Sequence, residues 1–185
     1  MTSANRFPRR LALAGMSFAL ALMCVPFAAT QPKDRVSPHE KTQGVIGGKT
    51  IEIEYGRPSL KGRELMGTLI PIGQVWRLGA DEATKLTTPV DIEINGLKVP
   101  AGTYSLFMLV AEDGTTQLIV NKVANQWGAF KYDAAQDLGR VALVGSRDNP
   151  VTEMLTIKIE PSGDKAGRIR FAWGDGLAVA FVKVL

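Results

Sequence analysis

Past residue 48 the chain is broken at short intervals by reversal signals, and no run between them sustains the apolar period of a helix. Asn95-Gly96 stands between two apolar runs, the strongest short hairpin signal, because both turn residues must adopt positive φ. Pro100-Ala101-Gly102, Asp113-Gly114, Ser162-Gly163-Asp164 and Asp175-Gly176 mark further reversals. The segments between them alternate as strands do. Ile51, Ile53 and Tyr55 oppose Glu52 and Glu54, and Ile169, Phe171 and Trp173 oppose Arg168 and Arg170. Further strands are predicted over 90–94, 97–99, 116–121, 141–145, 153–160 and 177–184. Residues 103–110 are apolar on both faces, with Phe107 and Leu109 behind Tyr104, Leu106 and Met108, which marks a central strand. Single helical turns are expected at 63–67 and 134–138. This grammar predicts an all-β fold, an antiparallel β-sandwich or jelly roll, over residues 49–185.

The first 29 residues have another character. Arg6, Arg9 and Arg10 precede an unbroken apolar run from Leu11 to Val25, and Pro26 then gives way to Ala28 and Ala29. That order predicts an export signal, helical in its apolar part and removed on export. Left uncleaved, Leu11–Ala29 is long enough to anchor the chain in a bilayer. Residues 30–48, polar with two prolines and three glycines, are expected to be a tether. The destination is therefore the periplasm or the medium, with membrane contact only through the N-terminal segment. Cys24, the sole cysteine, lies within the signal, so the domain must rest on its core without disulfides.

Charge excludes one class of partner. The three signal arginines account for most of the formal net charge of +4, and the remaining charges are mixed in sign. Without a basic stripe, nucleic-acid binding lacks its electrostatic footprint. Gly44 to Thr50 imitates a phosphate loop, but the spacing is a residue short and a strand follows where a helix should. His39 is the only histidine and falls in the expected tether, which removes Ser-His-Asp and Cys-His chemistry from the domain. Ordinary zinc, copper and iron sites lose their ligands with it, and neither a metal nor a cofactor is expected.

What remains is carboxylate, guanidinium and aromatic chemistry, concentrated in three segments. One holds Arg57 and Arg63, one runs from Val75 to Thr84 with Trp76, Arg77, Asp81 and Glu82, and one carries Asn121, Lys122, Trp127, Tyr132 and Asp133. The ordered series Arg57-Pro58, Lys61-Gly62-Arg63, Trp76-Arg77-x-Gly79-Ala80-Asp81-Glu82-x-Thr84, Pro100-Ala101-Gly102-Thr103-Tyr104-Ser105-Leu106, Asn121-Lys122 and Trp127-Gly128-x-Phe130-x-Tyr132-Asp133 resembles DUF2911, a family of exported bacterial domains, over about residues 49–160. Asp81 stands where that family usually has asparagine, exchanging two donors for a charge. The strand start Thr115-Thr116-Gln117 also lacks the tryptophan often found there. The family's function is unknown, so the resemblance implies location and one fold, and no activity.

Three readings of these residues stand side by side. In the first, the domain is a non-catalytic module whose arginines, tryptophans and acids bind a small polar ligand, a glycan or a protein partner. The second is a hydrolase using Asp81, Glu82 or Asp133 with arginine support. Adjacent Asp81 and Glu82 would face opposite ways in an extended segment, so Asp133 would have to complete a pair. The third makes the same residues a buried Arg–carboxylate network that merely ties a long connection to the sandwich.

Overall fold

The computed structural model describes Met1, residues 35–147 and residues 149–185. The chain divides into two compact units, Met1–Lys33 and Asp34–Leu185. The expected export signal lies outside the described residues.

The second unit is all-β. Its strands are β1 (His39–Ile46), β2 (Lys49–Gly56), β3 (Val75–Trp76), β4 (Thr84–Thr88), β5 (Ile92–Ile94), β6 (Leu97–Val99), β7 (Gly102–Val110), β8 (Thr116–Asn121), β9 (Asp137–Ala142), β10 (Val144–Ser146), β11 (Thr152–Pro161), β12 (Ala166–Gly174) and β13 (Gly176–Val184). One sheet has the order β1-β2-β4-β7-β8-β9, with β3 also on β7. The other has the order β11-β12-β13-β5-β6, with β10 also on β13. Every strand pair is antiparallel.

The alternation read from the sequence sets the inner faces. Ile51, Ile53 and Tyr55 of one sheet meet Leu155, Ile157 and Ile159 of the other, and all six are buried. Tyr55 adds a polar tie across the core, where its hydroxyl accepts the Ile157 N–H at 2.9 Å. The sheets also touch at their margins. At the β1–β11 margin a Cβ on Gly44 would lie 2.3 Å from Ile159 Cγ2, so only glycine permits the approach. At the other margin Asn95 Nδ2 donates to Ala142 O at 2.7 Å. The second face of β7 is covered as well, with Phe107 against Tyr132 at 5.0 Å in an edge-on arrangement.

Several local expectations are corrected. The tether predicted over residues 30–48 is a strand from His39 onward, joined to β2 by the two-residue turn Gly47-Gly48 at φ 59° and 71°. Gly-Gly between two β-type runs is itself a hairpin signal. The strand expected at 141–145 is two strands: β9 stays with β8, and after Leu143 the chain crosses to pair β10 with β13. The last hairpin turns on Gly174-Asp175, because Trp173 pairs with Gly176. Residues 63–67 form no helical turn; the helix-like bond falls later, from Leu69 N to Leu65 O at 3.1 Å. The turn at 134–138 is a short 3-10 helix, Ala134–Gln136.

Candidate functional site

Between β3 and β4 the Arg77–Ala83 connection lies directly on the end of β2. Ala80 N donates to Gly56 O at 3.3 Å, and a Cβ on Gly56 would sit 2.2 Å from Ala80 O. Buried Thr84 closes the loop, donating its hydroxyl to Leu78 O at 2.7 Å and its N–H to Arg77 O at 3.1 Å. Leu78 and Asp81 hold φ of 56° and 63°, a left-handed backbone that non-glycine residues adopt only under surrounding constraint.

That backbone alters the chemistry expected of the two acids. The segment is not extended, so Asp81 and Glu82 do not diverge; both reach His39, whose Nε2 lies 3.3 Å from Asp81 Oδ2 and 3.4 Å from Glu82 Oε2. His39, placed in a tether by the sequence, is the first residue of β1 and part of this cluster. The exclusion of histidine chemistry from the domain is thereby withdrawn. Asp81 also accepts the N–H groups of Val36 and Ser37, at 3.5 and 3.3 Å. Glu82 takes a two-pronged guanidinium from Arg35, through Nη2 at 2.8 Å and Nε at 3.0 Å. Partial burial works to raise the Glu82 carboxyl, but the Arg35 bond and charge outweigh it and leave it below the ordinary value of 4.5.

The residues singled out in the sequence divide into three groups. Arg57, Arg63, Trp76, Arg77 and Asp81 line one cavity of about 470 Å³, together with Lys61 and Trp173. Glu82 and Trp127 line a neighbouring cavity of about 330 Å³ with Arg35, His39, Glu54 and Lys85. The others line neither cavity. Asn121 is fully buried; it donates to Asp133 O and Asp137 Oδ1 and accepts from Val123 N and Gln126 Nε2. Tyr132 donates its hydroxyl to Asp137 at 2.6 Å, and burial, reinforced by that carboxylate, pushes its pKa up to about 12. Asp133 caps the 3-10 helix through Ala135 N at 2.9 Å, and Lys122 is exposed. Neither lines either cavity.

Within the first cavity the arginines differ. Arg57 is engaged, with Nε to Leu155 O and Nη2 to Thr156 Oγ1, each at 3.0 Å, and an ion pair with Glu40. Arg63 folds back onto its own loop, donating to Leu60 O and Ser59 O. Arg77 does neither. Its Nε is buried and makes no hydrogen bond, and no ion pair joins it to any of the described residues. Burial pulls its guanidinium below the ordinary arginine range, with only the Asp81 charge opposing. Trp76 is no exposed platform; it is buried and stacks on Trp173 at 5.8 Å and 14°. The sequence reading missed His39, Arg35, Lys61 and Trp173. The signal within reach for one of them was the Gly47-Gly48 hairpin, which puts His39 opposite Gly56.

The family model of DUF2911, a protein family of unknown function, matches residues 37–181. No curated protein and no solved structure gives a significant match.

Proposed function

The chain belongs to the DUF2911 family, which assigns no activity, and from that premise we propose that it is an exported, non-catalytic module that binds a small anionic ligand in the Arg77 cavity. One observation carries the reading. A half-buried guanidinium with a buried, unbonded Nε lines an open cavity, where a protein ordinarily satisfies every such donor. Arginine presents planar, paired donors that suit a carboxylate or a phosphate. Lys61, Arg63 and Arg57 line the same space, and the one acid among them, Asp81, already accepts from His39 and two backbone N–H groups. A sugar acid or a small carboxylate fits the Arg77 and Lys61 donors, beside the added positive charge of the engaged Arg57 and Arg63, and a volume of about 470 Å³.

The hydrolase reading is less well supported. A glycosidic acid needs a raised pKa and a second carboxylate about 5–9 Å away across the substrate. Glu82 is held low, and Asp133 is committed to its helix cap.

The test is thermal-shift and calorimetric titration of the purified chain with glucuronate, citrate and inorganic phosphate. A ligand at 100 times its Kd adds about 2.7 kcal/mol, which raises Tm by roughly 5–10 °C at this size. Arg77→Met should abolish that rise while leaving the ligand-free Tm nearly unchanged. Equal anion binding by wild type and Arg77→Met would refute the reading, as would the absence of any saturable response in the wild type.

A further inference from the structure

The cavity of about 330 Å³ beside the Arg77 cavity has no part in the anion reading. Two short ladders hold its polar side chains in place. Glu54 of β2 and Lys85 of β4 are direct cross-strand partners. Trp127 bridges Glu82, and bonds of 2.9 Å from Ala83 N to Gln126 O and from Gly128 N to Asp81 O extend that pairing. Gly56 and Ala83 also line the cavity and supply little side chain to fill it. The polar lining is open to solvent: Glu54 is 34% exposed, Lys85 30% and Glu82 37%, and Trp127 is half-buried.

The charges around this space are already matched. Among the described residues Glu54 pairs with Lys85 and, at 2.8 Å, with Lys41, and Glu82 pairs with Arg35 at 2.8 Å. An anion would compete with Glu54 and Glu82 for these cations, and a cation would compete with Lys85 and Arg35 for the acids. A hydroxyl competes with neither, because it donates to a carboxylate and accepts from an ammonium or guanidinium at once. Gln126 also favours a donor. Its Nε2 is spent on Asn121 Oδ1 at 3.1 Å and Val123 O at 2.9 Å, while its buried Oε1 has no donor among the described residues. A hydroxyl supplies that donor, and an ionised carboxylate cannot. Trp127 adds indole surface, which suits the C–H face of a sugar ring whose edge carries hydroxyls.

We propose that this cavity is a second binding site, separate from the Arg77 cavity, for one pyranose unit of an uncharged saccharide. The ring lies against Trp127, and its neighbouring hydroxyls are shared among Gln126 and the Glu54–Lys85 pair.

The test follows the indole N–H resonances of the three tryptophans by nitrogen-15 NMR while the purified chain is titrated with glucose, galactose, cellobiose and chitobiose. Saturable displacement of the Trp127 signal by at least one of them is expected. Trp76 and Trp173, buried at 5% and 3% exposure, should stay unmoved. Arg77→Met should leave the saccharide response unchanged, which separates this site from the anion site. Trp127→Ala should weaken saccharide binding in calorimetry by about tenfold or more and spare citrate binding. If that variant fails to fold, the Trp127 signal in the wild type and in Arg77→Met decides. The proposal is overturned if no saccharide displaces the Trp127 signal saturably at millimolar concentration. It is equally overturned if citrate displaces that signal as far as the saccharides do in Arg77→Met, or if uridine displaces it and no saccharide does.

Discussion

Arg57 and Arg77 share one cavity and one side-chain chemistry, yet the structure assigns them opposite energetic roles. Replacing each by methionine keeps most of the apolar stem and removes only the guanidinium. At Arg57 the change deletes the bonds to Leu155 O and Thr156 Oγ1 and the pairing with Glu40. Hydrogen bonds to charged groups contribute about 1.5–3 kcal/mol each when well shielded. The Arg57 side chain is 25% exposed and Glu40 36%, so solvent screens much of this and the pair itself is worth under about 1 kcal/mol. A loss of roughly 2–3 kcal/mol is expected, because Leu155 O is left without its partner beneath the β1–β11 margin. At Arg77 no bond is lost and a desolvated charge is removed, so the change should fall within about 0.5–1 kcal/mol of zero, on the stabilising side if either. Urea unfolding with two spectroscopic probes gives both numbers, provided m is unchanged. Should Arg77→Met cost as much as Arg57→Met or more, Arg77 would be a structural tie and the argument from its unbonded Nε would fail.

Three other outcomes follow from the same geometry. Asn121→Ala should lose roughly 2–4 kcal/mol in urea, since it strands donors and acceptors on a fully buried side chain's four partners; a loss below 1 kcal/mol would contradict its structural role. Gly56→Ala should unseat the Arg77–Ala83 connection, because its Cβ would lie 2.2 Å from Ala80 O, and near-wild-type Tm would show that contact to be wrong. Stability should be level above about pH 5 and fall below about pH 4.5 in low salt. Lys41 holds Glu52 and Glu54 low, Arg168 does the same for Glu160, and Glu82 is low despite its burial. Depressed folded pKa values stabilise the fold above the unfolded value, and that contribution is lost as pH falls through them. A Tm that rises on acidification through this window would reverse the sign.

The sheets were legible where an apolar face repeats every second residue, as in Ile51-Ile53-Tyr55 and Ile169-Phe171-Trp173. β1 was not, because it is a marginal strand that buries only Gly44 and Ile46 while His39, Lys41 and Gln43 face outward. β4 hid for a related reason: Leu86 is its only aliphatic member, and its burial rests on Thr84 and Thr88. For the site, composition correctly gathered arginines, acids and tryptophans but could not rank them. Arg57 is a staple because Leu155, 98 residues away, presents its carbonyl, and Arg77 has no such neighbour. Nor does local sequence reveal that Asp81 in a left-handed conformation turns back toward a histidine 42 residues earlier.

The Nε–Hε resonances of the arginines, followed by nitrogen-15 NMR during titration with glucuronate or citrate, report on the anion site atom by atom. A saturable displacement of the Arg77 signal, with Arg57 unmoved because its Nε stays bonded to Leu155 O, is the expected result. An Arg77 signal indifferent to every anion, while those of exposed arginines drift with ionic strength, would leave the cavity without a ligand and contradict the account.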